Sequence, residues 1–172
     1  MSEPAGFREF VVTRSPGLLR TALLLTGQEA SAQDLVQAAL LSAWSRWETI
    51  APGAEEAYVR KAVVTTFLGW RRRRWNGETP VSQLPERAGT SDVFANFDTR
   101  VAVAAALSQL PARQRAVVVL RYFNDLSETD TAQALNCSVG TVKSQTFKAL
   151  ANLRRSPLTH LFREEEPSDD LR

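Results

Sequence analysis

Two basic runs and one polar pair hold the side chains best suited to chemistry in this 172-residue chain. Lys143, Ser144, Gln145, Phe147 and Lys148 bring cations, hydrogen-bonding groups and an aromatic ring together, with Thr141 just upstream. Val139 to Arg155 holds four basic residues and no acidic one. A solvated helix usually mixes signs, so this bias suits a polyanion. A cationic face favoured by the dipole at a helix C-terminus fits the same residues. Arg71 to Arg74 form the second run, followed by Trp75. Four guanidinium groups beside an indole suit phosphate contacts next to a base-stacking platform. The dipole explains basic residues there but does not require four. Asp34 and Gln37 lie three apart on one helix side and on their own read as capping and solvation.

Nucleophilic or metal chemistry finds little support. Cys137 is the only cysteine and His160 the only histidine. One cysteine excludes an intrachain disulfide and a thiolate metal cluster. Cys137 lies in a predicted turn, where a small apolar residue suits packing. His160 has no carboxylate partner nearby in sequence, and no phosphate loop or metal-ligand spacing occurs. The chain is therefore expected to hold no catalytic residue, no metal and no cofactor.

These groups need helices to position them. The stretch from Leu126 to Arg155 reads as two short helices joined by a turn at Asn136, Cys137 and Ser138, a helix-turn-helix pattern. On a wheel of about 100° per residue, Val142, Thr146, Ala149, Leu150 and Leu153 share the buried arc. Ser144, Phe147 and Lys148 fall opposite, flanked by Lys143 and Gln145.

Upstream, Phe7 to Thr26 reads as helical with an interruption at Ser15-Pro16-Gly17, where Ser15 is suited to cap a new helix. The next helix is expected over Ser31 to Trp47, with Ser31 and Asp34 at capping-box spacing and Leu35, Ala38, Ala39 and Leu41 as apolar positions. Trp44 and Trp47 read as core. After a loop at Glu48 to Ala54, a long helix runs from Glu55 to about Trp75. Val59, Val63, Thr66, Phe67 and Trp70 form its buried arc, and Lys61, Thr65, Leu68 and Arg72 the opposite face.

Residues 76–98 carry Gly77, Pro80, Pro85 and Gly89 with few apolar residues. This linker is too long for a loop inside a compact domain. The expected organisation is a first domain over 1–75, a linker over 76–98, a second domain over 99–156 and an acidic, disordered tail over 157–172. The fold class is all-α, two small helical domains.

Hydrophobic residues make up 44% and charged residues 23%, a globular balance. The net charge of +2 hides the distribution: residues 99–156 hold eight basic and three acidic residues, and 157–172 two and five. Such clustering carries more information than the total. No signal peptide is visible, and Leu18 to Leu25 is too short to span a bilayer. A cytoplasmic protein without membrane insertion is expected.

Taken in order, DLVQ at Asp34 to Gln37, the helix ending RRRR, the linker, LPARQRAVVVLRYF and CSVGTVKSQTFKALANLR resemble the bacterial RNA polymerase sigma factors. The resemblance is to the small extracytoplasmic-function (ECF) group and covers residues 7 to 156. It implies that the first domain is sigma region 2 and the second sigma region 4, with the linker passing near the RNA exit path. It further implies that Asp34 and Gln37 bind the β′ clamp helices of core RNA polymerase. Lys61, Thr65, Arg72 and Arg73 would meet the −10 element of promoter DNA. Thr141, Lys143, Ser144, Gln145, Phe147 and Lys148 would meet the −35 element, and the second domain would dock on the β flap. An anti-sigma factor becomes a candidate partner. Where many relatives carry Arg, this chain has Gln145, so the resemblance does not fix its preferred −35 sequence. The rival reading is a stand-alone helix-turn-helix regulator, which leaves DLVQ and the arginine run unexplained.

Overall fold

The computed structural model describes residues 3–75 and 97–156, and the side chains within them except those of 75 and 97–102. Seven helices and no strand occur among these residues. They are α1 (Phe7–Thr26), α2 (Glu29–Trp44), α3 (Glu55–Trp75), α4 (Phe97–Ser108), α5 (Ala112–Val118), α6 (Glu128–Leu135) and α7 (Val139–Arg155). Residues 76–96 of the expected linker, the tail 157–172 and His160 lie outside the described residues. Phe97 and Asp98, expected in the linker, open α4.

The expected interruption of α1 is absent: the helix runs through Pro16 without a break. Proline removes one N–H, leaving the carbonyl four residues back unpaired. That carbonyl belongs to Val12, whose residue is largely exposed, so solvent can supply the missing bond. Gly27 closes the helix at φ 75°, a left-handed conformation glycine adopts without strain, and its N–H donates to the Leu23 carbonyl at 2.7 Å.

The start of α2 also differs from expectation. The helix begins at Glu29 behind Gln28, and no capping box forms between Ser31 and Asp34 because both lie inside it. It ends at Trp44, and Trp47 opens a single 3-10 turn through Thr49. Phe7 meets Trp44 and Trp47 edge-on, each at 4.9 Å between ring centroids. The Trp47 indole N–H donates to the Ala5 carbonyl at 3.0 Å. Both tryptophans are half-buried against the core, as their spacing predicts.

The long helix α3 buries Val59, Val63, Val64 and Phe67, while Thr66 and Trp70 are half-buried. Val64 lies off the expected arc, and Leu68, expected on the open face, packs against the core. Helix α3 packs against α1 and α2, and also against α5 and α6. A wheel drawn for one buried face is too narrow for a helix packed on two.

After Pro111, α5 continues into a π-helical turn over Val119–Phe123, closed by the Asn124 N–H donating to the Val119 carbonyl at 3.1 Å. Pi turns are rare and widen the helix locally. Here the turn leaves Tyr122 and Phe123 exposed and sends the chain toward α6.

Candidate polymerase and nucleic-acid interfaces

Two N-caps fix the geometry of the helix-turn-helix. Ser127 Oγ accepts from the Asp130 N–H at 3.0 Å and opens α6. Ser138 Oγ accepts from the Thr141 N–H at 3.1 Å and opens α7. Between them Asn136 takes φ 51°, a left-handed value that asparagine tolerates better than most residues. The Cys137 N–H donates to the Ala132 carbonyl at 3.0 Å, and the Cys137 side chain is half-buried against the core. Val142 and Ala149 are fully buried and set the rotation of α7. Asn152 donates to the Gln114 side chain at 2.8 Å and ties α7 to α5.

That rotation leaves Lys143, Ser144, Phe147 and Lys148 exposed, with Gln145 and Thr141 half-buried at the edges. Phe147 is 75% exposed, a large apolar ring with little protein cover. Lys143 Nζ lies 3.7 Å from Glu128 Oε2 on α6, an exposed pair. Lys148 makes no ion pair among the described residues. The Thr141 hydroxyl lies 2.9 Å from Ser138 Oγ, so it belongs to the cap.

On α3, Lys61, Thr65, Arg72 and Arg73 are all exposed on a helix held from behind by its buried valines and Phe67. The Thr65 hydroxyl donates to the Lys61 carbonyl at 2.9 Å. The N-terminal end of α3 is tied down where Glu56 pairs with Arg60 at 2.6 Å and with Arg14 of α1 at 3.2 Å. On α2, Asp34 and Gln37 are exposed while the intervening Leu35 and Val36 are buried. The six −35 candidates thus share one end of one helix, the −10 candidates run along another, and the Asp34–Gln37 pair stands on a third.

Two features escaped the sequence reading. Beside Gln37 lies an open apolar groove lined by Leu19, Val36, Leu40, Leu41 and Trp44. Leu41, one of the apolar positions of the expected helix, is 66% exposed at its rim. The signal was the spacing of Gln37, Leu40, Leu41 and Trp44, which places them on one stripe next to the polar pair. The second feature is Arg115, only 2% exposed, which no periodicity distinguishes from a surface arginine.

Similarity to known proteins extends over the helices on both sides of residues 78–99. Residues 10–77 match the family Sigma-70 region 2, and residues 100–153 match Sigma-70 region 4. The chain is 41% identical over 155 residues to the RNA polymerase sigma-E factor of Streptomyces coelicolor, covering 90% of this chain and 87% of that protein. It is 35% identical over 159 residues to the ECF RNA polymerase sigma factor SigL of Mycobacterium tuberculosis, covering 89% of each. Among solved structures, the sigma factor RpoE, in complex with the anti-sigma factor NepR from Bartonella quintana, shares the fold. The TM-score is 0.67 at 22% identity, over 92% of this chain and 98% of that one. CnrH, in complex with the cytosolic domain of CnrY, gives a TM-score of 0.61 at 20% identity over 92% and 89%. With region 2 and region 4 matched in order and relatives aligned along nearly their whole length, the chain belongs to the RNA polymerase sigma factors, in the extracytoplasmic-function group.

Proposed function

We propose that this sigma factor divides its work among three helices. Asp34 and Gln37 on α2 engage the β′ clamp helices of core RNA polymerase, with the apolar groove beside Gln37 receiving side chains from them. Lys61, Thr65, Arg72 and Arg73 on α3 meet the −10 element as the duplex opens. On α7, Lys143 and Lys148 contact phosphates, which orient the helix without carrying sequence information. Gln145 can make two bonds to an adenine edge, and the exposed Phe147 ring suits a thymine methyl. Ser144 adds a short hydroxyl to the same face. Thr141, its hydroxyl held by Ser138, serves through its place in the cap at the helix N-terminus.

The carrying observation is the exposed basic and aromatic face of α7, held outward by the buried Val142 and Ala149. The domain limits that fit this reading are 1–75, 76–98, 99–156 and 157–172, with the second domain docking on the β flap. Phosphodiester chemistry belongs to the polymerase, and the chain acts as its promoter-specificity subunit. No described helix is long and apolar enough to cross a membrane; a cytoplasmic location follows from the work assigned. An anti-sigma factor, the class of partner seen with the solved sigma factor RpoE, is a candidate partner here.

The test replaces Asp34 and Gln37 together with Ala and measures co-purification with core polymerase. Both side chains are exposed, so the expected result is weaker association with an unchanged melting temperature. Undiminished association would remove α2 from the interface.

A further inference from the structure

Helix α7 presents its −35 candidates outward and is held to the fold by contacts of two kinds. The apolar contacts run through Val142 and Ala149, with Leu150 and Leu153 half-buried beside them. Such contacts exclude water but have no direction, so a helix can turn a few degrees about its axis without losing them. Polar contacts have direction. Asn152 Nδ2 donates to Gln114 Oε1 at 2.8 Å, across 38 positions of sequence. Gln114 stands on α5 and is 9% exposed. Toward the other end, Lys143 meets Glu128 at 3.7 Å, an exposed pair too loose to set an angle.

The helix that carries Gln114 is itself fixed. The next residue, Arg115, donates to the Ser108 and Leu110 carbonyls at the end of α4, at 2.7 and 3.1 Å. A cation there meets the negative end of that helix. Gln114 therefore stands on an anchored backbone, and its amide oxygen is a fixed point for α7.

Asn152 follows Gln145 by seven residues, close to two turns, so both lie on one stripe of α7. Any rotation that carries Asn152 off Gln114 turns Gln145 by the same angle. At about 6 Å from the axis, a rotation of about 10° moves a side-chain group by about 1 Å. Hydrogen bonds keep donor and acceptor within about 2.7–3.2 Å, so a shift of that size breaks the paired bonds Gln145 can make to an adenine edge. Lys143 and Lys148 reach phosphates on flexible four-carbon stems and follow the same rotation without letting go.

We propose that Gln114 is a positioning residue for −35 specificity: through Asn152 it fixes the rotation of α7 and with it the register of Gln145 against the bases. The proposal rests on the −35 assignment of α7 above. It separates two tasks on one helix. The lysines hold the DNA whatever the small rotation of α7, whereas base reading by Gln145 depends on a buried amide that touches no DNA.

The test uses the full-length chain in reconstituted holoenzyme and measures affinity for promoter fragments that differ at single −35 base pairs, over a salt series. Asn152→Ala removes the donor at an exposed position and leaves the core untouched. Gln114→Leu removes the acceptor at similar volume. A swap, Gln114→Asn with Asn152→Gln, moves one methylene across the contact and keeps its length. Each single variant is expected to cut the affinity ratio between preferred and altered −35 sequences by about five-fold or more, the smallest loss expected of one base contact. The slope of log affinity against log salt should not change, and the swap should restore the ratio. In a Gln145→Ala background, Asn152→Ala should have no further effect on the ratio, because both act through one contact. An unchanged ratio for Asn152→Ala overturns the proposal when Gln145→Ala alone lowers it. Equal weakening on every fragment, or a swap that restores nothing, also overturns it, because either marks Gln114 as a packing residue only. If Gln145→Ala leaves the ratio at the wild-type value, base reading by α7 falls and the positioning role with it.

Discussion

Lys148 and Lys143 occupy the same exposed face of α7, yet their surroundings predict different behaviour on DNA. Lys148 makes no ion pair among the described residues, whereas Lys143 lies 3.7 Å from Glu128. Each phosphate neutralised contributes about 0.9 to the slope of log Kobs against log salt. Between about 50 and 200 mM salt, one contact therefore changes affinity by roughly 3.5-fold. Lys148→Ala should lower the slope by that full amount. Lys143 must first leave Glu128, an exposed pair worth about 0–1 kcal/mol, or up to a factor of about five. Glu128→Ala should accordingly raise promoter affinity by up to about five-fold, the opposite direction from the lysine variants. The effect should vanish in the Lys143→Ala background, because the two changes act through one pair. The assay is equilibrium binding of reconstituted holoenzyme to a promoter fragment over a salt series. An unchanged slope for Lys148→Ala, or weaker binding for Glu128→Ala, would refute the placement of this face on the phosphate backbone.

Three further outcomes can be checked. Leu35→Ala should cost about 2–5 kcal/mol of unfolding free energy in a urea titration, since Leu35 is fully buried. The adjacent Asp34→Ala should stay within about 0.5 kcal/mol, as for most surface changes. Ser138→Ala removes the N-cap of α7 and should cost about 0.5–2 kcal/mol, measured by thermal melting, and should reduce −35 dependence by loosening the first turn, which carries Thr141 and leads into Lys143. Arg72→Ala with Arg73→Ala should reduce the yield of open complexes, read by permanganate footprinting of the −10 region, while leaving discrimination between −35 variants intact.

Local chemistry made much of the site legible from residue types alone. The apolar spacing of Val142 and Ala149 placed Lys143, Ser144, Phe147 and Lys148 outside, whereas Ser138 read only as part of the turn and its cap, like that of Ser127, appears in the structure. What stayed illegible depends on distant partners. Pro16 reads as a breaker because sequence does not reveal that the Val12 carbonyl faces solvent. The arc drawn for α3 omits Val64 and puts Leu68 on the open face, because it allows for one packed side, whereas α3 also meets α5 and α6, helices that lie beyond residues 76–96. Leu41 reads only as an apolar helix position because helical spacing cannot distinguish a groove rim from an interior. Arg115 gives no local sign of burial. Its acceptors are the carbonyls of Ser108 and Leu110 nearby and of Leu25 in a helix 90 positions away.

The most direct measurement is in vitro transcription with core RNA polymerase and this chain on a mapped promoter, with its −10 and −35 elements altered separately. The account predicts that core polymerase alone starts no transcript there and that adding the chain produces one from a defined position. It also predicts that changing either element, or the number of base pairs between them, lowers the yield. Transcription independent of both elements, or no transcription beside tight binding to the same DNA without polymerase, would contradict it and favour a stand-alone regulator.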